Sequence, residues 1–305
     1  MLLGSTQGAL AALYETLQAS ALLLFTDPTQ LSPGQAVLVG GSVLFVGTVL
    51  RTVWGTDGQR RNKVKSRSEF TPVYYHTWPP VKAIPCLSPF GMKLETYLRM
   101  ADIPYETVYG LSMGPKGKVP WIEYNGEAMG DSGLIIEFLN REKGVDLDQI
   151  LSDTDKAVSR AFTKMLEENT FWGGVRNRWI NNIDKLQEVV APWTAPRIIM
   201  FLLTRSARSN VRRKLWTHGV GRYSRDEIEG ILEKDIKALS HFLGTKPYLM
   251  GDEPTEVDAA AFGQLSVACC AFPGIYLERL VTVDCPNLQA YFNRNRTAIG
   301  QTGTS

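Results

Sequence analysis

Cysteine and histidine are scarce in this chain, and the kinds of site that need them are correspondingly disfavoured. The 305 residues contain four cysteines and three histidines. The cysteines have neither disulfide-dense nor zinc-ligand spacing, which favours a reducing compartment and predicts no metal site. They are Cys86, Cys269, Cys270 and Cys285.

Several other signatures are missing. The chain has no Walker loop and no H-E-x-x-H pair, and we find no basic patch interleaved with aromatic residues, so no nucleic-acid partner is expected. Internal repeats and low-complexity tracts are also absent. With 44% hydrophobic and 21% charged residues, the chain is long enough for two globular domains with sizeable cores.

The first 50 residues lack lysine and arginine and end in an apolar run. The run occupies residues 36–50 and extends past Arg51 to Trp54. As a helix the longer segment measures about 28 Å, against a hydrocarbon core of about 30 Å. Residues 36–54 are therefore predicted to be a single-pass membrane anchor.

Cations follow this run within residues 51–67, where Asp57 is the single acid. The positive-inside rule then places the C-terminal body in the cytosol. A cleaved signal peptide or an Arg-rich presequence is disfavoured because no basic region precedes the run. A short anchor of this kind suits the outer mitochondrial membrane or the endoplasmic reticulum. The cations are Arg51, Arg60, Arg61, Lys63, Lys65 and Arg67.

Two alternatives stay open for this region. The glycines and β-branched residues of the apolar run also suit a buried core helix or strand. Residues 8–25 suit either an interfacial helix or a second membrane segment, and the sequence does not distinguish the two.

The pattern divides the chain into five parts. An N-terminal helix and anchor occupy residues 1–56, and a basic linker occupies 57–68. An α/β domain is predicted at 69–145 and an all-α domain at 152–296, followed by a tail at 297–305. Within the α/β domain, residues 73–76 and 105–109 are predicted strands, and residues 92–100 are a predicted helix.

Pro120 is the central residue of the most informative stretch, Ser112 to Ser132. The breakers before it and the Asn125-Gly126 hairpin signal after it predict a short strand that Pro120 opens. A cis Val119-Pro120 bond there would turn the backbone N–H and C=O of Val119 outward, free to pair with an extended peptide-like ligand.

Asp131 and Ser132 precede an apolar helical pattern, so they are predicted at a helix N-terminus. Free amides and the helix dipole make such a position suitable for binding a carboxylate.

Two further helix starts have capping-box spacing. Thr255 and Asp258 form a variant box, and Ser224 and Glu227 form another before an amphipathic helix. Between these helices and the first domain lies a basic group that suits either an anionic membrane surface or a solvated helix end. It consists of Arg205, Arg208, Arg212, Arg213 and Lys214.

These motifs resemble those of glutathione transferases. The segment G-P-K-G-K-V-P, with D-S at the next helix start, is similar to the thioredoxin-like domain of that family. Ser88-Pro89-Phe90-Gly91 resembles its active-site turn, where omega-like and glutaredoxin-like members have Cys-Pro-Phe. The resemblance implies a thioredoxin-like domain followed by an all-α domain.

The resemblance also implies roles for individual residues. Val119 and Pro120 would hold the cysteinyl part of glutathione, while Asp131 and Ser132 would hold its γ-glutamyl end. Lys118 belongs to the same glutathione-like set, and Ser88 occupies the catalytic position.

Two longer motifs are more specific than the general glutathione-transferase pattern when they are combined with the anchor. They are S-P-F-G-x-K-x-E-T-Y-L-R-M-A and H-G-V-G-R-Y-S. They resemble the failed axon connections family, relatives of the metaxins, which implies axon development and membrane-bound import or assembly complexes. Two functions therefore stay open: a non-catalytic interaction module with protein partners, and a membrane-anchored glutathione-dependent transferase in which Ser88 stabilises the thiolate.

Overall fold

The computed structural model describes residues 72–190 and 197–298. The predicted N-terminal helix, the membrane anchor at 36–54 and the basic linker lie outside these residues, as does the tail from residue 299 onward. The division at residues 56, 68, 145 and 152 therefore stays a prediction.

A four-stranded sheet forms the first part of the described chain. Its strands are β1 (Val73–Thr77), β2 (Tyr105–Tyr109), β3 (Trp121–Tyr124) and β4 (Glu127–Gly130), in the order β2-β1-β3-β4. β1 and β2 are parallel, and the other two pairings are antiparallel. The predicted strands are present. The predicted hairpin is also confirmed, because Asn125 and Gly126 have φ values of 51° and 85°, as a type I′ turn requires.

Two helices pack on this sheet. α1 (Pro89–Met100) crosses between the parallel strands, and α2 (Ser132–Lys143) follows β4. α1 begins three residues before the predicted start at Met92, because Ser88 caps the helix and Pro89 occupies its first turn. Buried side chains of the sheet and both helices, such as Tyr75, Leu94 and Ile135, form one hydrophobic core.

The second part of the described chain is helical and has its own core. Its α-helices are α3 (Asp153–Lys164), α4 (Phe171–Arg176), α5 (Ile183–Val190), α6 (Arg197–His218), α7 (Arg225–Leu243), α8 (Glu256–Ser266), α9 (Tyr276–Arg279) and α10 (Pro286–Ala298). π-helical turns at Met165–Thr170, Asn177–Asn181, Val267–Ala271 and Leu280–Asp284 extend several of them. The thioredoxin-like sheet followed by an all-α part is the predicted fold class.

Both predicted helix caps are present. Ser224 and Glu227 exchange reciprocal bonds at the start of α7. At the start of α8, the buried Asp258 carboxylate accepts the N–H and the hydroxyl of Thr255, at 2.9 and 2.8 Å. It also accepts the Leu249 N–H and the Tyr291 hydroxyl, each at 2.8 Å. Asp258 therefore ties the helix start to a preceding loop and to α10.

The two parts meet where α8 packs against α1. A Cβ added at Gly263 would lie 2.4 Å from the Pro89 carbonyl oxygen and 2.9 Å from the Lys93 amide nitrogen. Beside this contact, the Lys93 ammonium donates to Glu167 at 2.5 Å, and both side chains are buried. Glycine is thus required at this crossing, since any side chain would separate the helices.

Among the described helices, none is by itself long and apolar enough to cross a membrane. One bent pair, Glu256–Ala271 with Tyr276–Asp284, meets the requirement by length and composition only, with a bend of 113°.

Candidate functional site

The strand register brings three of the predicted site segments to one end of the sheet. Trp121, the first residue of β3, pairs with His76 of β1 and with Gly130, the last residue of β4. Pro120 therefore lies across from Asp131, next to the end of β1. The first turn of α1 covers the same end, because a Cβ added at Gly91 would lie 2.9 Å from the Thr77 hydroxyl.

The Val119-Pro120 peptide bond is cis, as predicted. Pro120 is buried, Val119 is partly exposed, and Lys118 is exposed. Within the described part of the chain, the backbone N–H and C=O of Val119 have no hydrogen-bond partner, whereas the neighbouring Lys118 carbonyl accepts the Gly114 N–H at 3.1 Å. The Val119 groups are therefore available to an extended ligand, which fits the predicted arrangement.

Asp131 is the N-cap of α2 and has an unusual backbone conformation, with φ at 87°. Its Oδ1 accepts the N–H groups of Gly133 and Leu134 at 3.0 and 3.3 Å. Its Oδ2 has no partner among the described residues, and the side chain is exposed. A strained non-glycine residue held at a helix start is typical of a ligand-binding position, and the free oxygen suits an ammonium group.

Ser132 is the first residue of α2 and is 5% exposed. Its hydroxyl has no hydrogen-bond partner in the parts of the chain that the structure describes. This hydroxyl and the Ser132 backbone N–H, which Asp131 leaves unbound in the first turn, suit a carboxylate. Asp131 and Ser132 together can hold both charged groups of an amino-acid moiety.

Ser88 lies at the N-terminus of α1, where the sequence places it. Its side chain is 5% exposed, and its oxygen accepts the Gly91 N–H at 3.3 Å. The hydroxyl is therefore a helix cap in this structure, and very little of it faces solvent.

Cys86 lies directly beneath this turn and is buried. Its sulfur contacts the Thr77 hydroxyl at 2.9 Å and accepts the Ser88 N–H at 3.2 Å. Burial raises the pKa of the Cys86 thiol to about 11, against the opposing effect of these hydrogen bonds. Cys86 is thus a protonated core thiol that packs under the helix start, and it is not a nucleophile at neutral pH.

One part of the site had no sequence signal. The His76 and Trp121 rings stack at 3.6 Å, with an angle of 9° between them. A Cβ added at Gly114 would lie 2.4 Å from Trp121, so the loop that leads to Val119 rests against the indole ring. His76 and Trp121 are far apart in sequence, so only the strand pairing shows that they fix this loop. Burial lowers the pKa of His76, although Glu123 opposes that shift.

Two family models match the described part of the chain. Residues 89–185 match the model described as the glutathione S-transferase N-terminal domain, and residues 232–295 match the C-terminal domain of the same family.

Three relatives define the similarity in sequence. Failed axon connections from Drosophila melanogaster is 32% identical over 77% of this chain and 60% of its own length. The isoprene-epoxide–glutathione S-transferase from a Rhodococcus strain is 31% identical over 61% of this chain and 82% of that enzyme. Human metaxin-2 is 26% identical over 57% of this chain and 68% of its own length. The chain thus spans less than two thirds of failed axon connections.

Solved structures show the same fold at low identity. The beta-etherase LigF from a Sphingobium strain has a TM-score of 0.54 at 16% identity, over 76% of this chain and 98% of that chain. A glutathione S-transferase from Methylobacterium radiotolerans, in complex with glutathione sulfonate, has a TM-score of 0.52 at 14% identity, over 76% and 95%.

The placement of the thiols generates a prediction. In the folded protein at pH 8, Cys86 should resist iodoacetamide, because its thiol is buried and its pKa is raised to about 11. In denaturant without reductant, all four cysteines should be alkylated, since all are free in this structure. Peptide mass spectrometry measures both results. Rapid modification of Cys86 in the folded protein, or a disulfide in protein isolated under alkylating conditions, would contradict the prediction.

Proposed function

Because this chain belongs to the glutathione-transferase-fold family that includes failed axon connections and the metaxins, we propose that it is a membrane-anchored, non-catalytic interaction module. Residues 36–54 form the anchor in this proposal, and the body lies in the cytosol. The observation that supports the non-catalytic role most strongly is that Ser88 is buried and caps α1.

Ser88 would have to stabilise a thiolate for the family's chemistry to proceed. In the structure its side chain is 5% exposed and its oxygen caps α1. The neighbouring Cys86 thiol has a raised pKa, so it does not supply the missing nucleophile. The described residues thus form a ligand cradle, made by Val119, Asp131 and Ser132, and the catalytic position beside it, Ser88, is poorly suited to stabilise a thiolate.

The names of relatives support protein partners and a membrane. One relative from Arabidopsis thaliana, 22% identical over 73% of this chain, is named as a mitochondrial outer membrane import complex protein. We therefore propose that this chain also works within a protein complex, at the outer mitochondrial membrane or the endoplasmic reticulum. A role in axon development is proposed from the name of the Drosophila relative.

The alternative function is a membrane-anchored glutathione-dependent transferase. The cradle favours it, because Val119 offers free backbone groups, Asp131 a free carboxylate oxygen and Ser132 an unpaired hydroxyl. The Rhodococcus relative is named as a transferase of glutathione to an epoxide. In this alternative, Lys118 and Pro120 complete the glutathione site, and Ser88 donates a hydrogen bond to the thiolate, which attacks an electrophile.

Glutathione titration of the purified chain distinguishes the two functions. A ligand present at 100 times its dissociation constant stabilises a protein by about 2.7 kcal/mol, which shifts a melting curve measurably. The non-catalytic proposal predicts a small or absent shift with glutathione and no conjugation of an aryl halide or an epoxide.

Matched variants make this test specific. Asp131→Asn keeps a helix-capping side chain but removes the charge, so it should abolish any glutathione-dependent shift without loss of the cap. Ser88→Ala and Ser152→Ala each remove a serine N-cap, at a cost of about 1 kcal/mol. Saturable conjugation that is lost in Ser88→Ala and retained in Ser152→Ala would overturn the non-catalytic proposal.

The proposed membrane topology is tested separately. Protease added to intact membranes should digest the body, because the cations at residues 51–67 hold it on the cytosolic side. Immunoblotting of the fragments measures the result. Protection of residues 70–305 until detergent is added would exclude this orientation, and full extraction of the chain by alkaline carbonate would exclude the anchor.

A further inference from the structure

One stretch of the helical part contains positively charged residues and no negatively charged ones. No Asp or Glu occurs between Glu188 and Asp226, and this interval contains all of α6. Eight consecutive charges in the sequence, counted without histidine, are therefore positive. They are Arg197, Arg205, Arg208, Arg212, Arg213, Lys214, Arg222 and Arg225.

Four cations of α6 face outward and lack acidic partners among the described residues, whereas Arg208 is partly buried and donates to the Ile180 carbonyl. Arg205, Arg212, Arg213 and Lys214 are exposed, and none of them pairs with a carboxylate in the described residues. α7 behaves differently, because two of its exposed cations form ion pairs, Arg225 with Glu229 at 2.8 Å and Lys237 with Glu233 at 2.5 Å. The charge on α6 is therefore left uncompensated by the fold.

Aromatic side chains lie among these cations. Trp216 is 59% exposed and Tyr223 is 47% exposed. The Arg222 guanidinium lies over the Trp216 ring, 5.3 Å from its centroid. A Cβ added at Gly221 would lie 2.7 Å from the Trp216 amide nitrogen, so the loop after α6 packs tightly against the helix end. This pairing corrects the expectation that the chain has no basic patch interleaved with aromatic residues.

The same helix end borders an open groove of about 380 Å³. Its wall is the stacked pair Trp172 and His218, with ring centroids 4.6 Å apart. Arg213, Lys214 and Thr217 also line it. Two cations, a hydroxyl and an imidazole around one groove are the groups that bind a phosphate.

We propose that the exposed face of α6 from Arg205 to His218, with Arg222 and Tyr223, docks on a membrane surface rich in anionic phospholipids. The groove holds a lipid phosphate, the outer arginines contact neighbouring headgroups, and Trp216 and Tyr223 lie at the interfacial level. Exposed tryptophan and tyrosine prefer that level, and a basic segment near an anionic bilayer gains about 1 kcal/mol per cation.

The shape of the surface favours a bilayer over a macromolecular chain. Arg205, Arg212 and Trp216 follow one another at seven and four residues, so they share one face of a single helix. Arg213 and Lys214 follow at steps of about 100° round the helix, so the groove opens beside this face. This outward ridge of about 16 Å suits a flat anionic surface. The proposal is independent of the anchor at residues 36–54, since it concerns only α6, the loop after it and the groove beside it.

The test compares full-length chains on vesicles of phosphatidylcholine alone and of phosphatidylcholine with phosphatidylserine. Co-sedimentation gives the partition coefficient. The triple variant Arg212→Ala, Arg213→Ala, Lys214→Ala should lower the coefficient for anionic vesicles on the order of 100-fold, since each cation contributes roughly fivefold. Binding to neutral vesicles, which reports any contribution of residues 36–54, should not change.

The control triple variant Arg141→Ala, Lys156→Ala, Arg160→Ala removes the same charge from exposed positions of α2 and α3. It should retain anionic binding within a few-fold. Hydrogen exchange provides a second measurement that needs no variant: anionic vesicles should protect the amides of residues 205–223, and high salt should reverse the protection.

Several outcomes would overturn the proposal. Equal losses in the two triple variants would show a general charge effect, and unchanged exchange at residues 205–223 would place the contact elsewhere. Tighter binding of polyglutamate or of single-stranded RNA than of anionic vesicles, lost in the α6 variant, would assign the surface to a protein or a nucleic acid instead.

Discussion

The contact between the backbones of α8 and the first turn of α1 is the constraint on which the rest of the described structure depends. At Gly263 there is no space for even a methyl group, because Pro89 and Lys93 lie against it. The buried Lys93–Glu167 pair closes the same contact at 2.5 Å. Removal of one partner from a buried ion pair is strongly destabilising, whereas the intact pair adds little net stability. We infer that the pair fixes how the two parts join and that apolar packing supplies most of the stability.

Both helices that begin at the candidate site are held by α8. α1 is held through Gly263, and α2 is held through Asn140, whose amide donates to Glu256 of α8 at 2.7 Å. Burial raises the pKa of Glu256, and its own N–H binds Asp148 at 2.9 Å. The N-terminal turns that present Ser88 and Ser132 are therefore positioned by the helical part as well as by the sheet. The site can therefore keep its shape whether or not it catalyses a reaction.

Local signals in the sequence predicted much of this fold and part of the site. Pro120, Asn125-Gly126 and the start of α2 at Ser132 follow from backbone preferences of the residues themselves. Contacts between distant residues had no such signal, so the Gly263 crossing, the Lys93–Glu167 pair and the stack on Trp121 appear only in the structure. The cations of α6 are recognisable as a basic group in the sequence. Their exposure and their lack of acidic partners are seen only in the structure.

The central claim is tested most directly by the urea unfolding of Gly263→Ala beside Gly230→Ala. Both are helical glycines, and a Cβ at Gly230 of α7 meets nothing within 4 Å. Alanine should therefore stabilise the protein at position 230 by up to about 1 kcal/mol. At position 263 we expect a loss of about 1–3 kcal/mol in the free energy of unfolding, because the new methyl group forces α8 away from α1. Equal or greater stability of Gly263→Ala would show that the crossing does not constrain the fold.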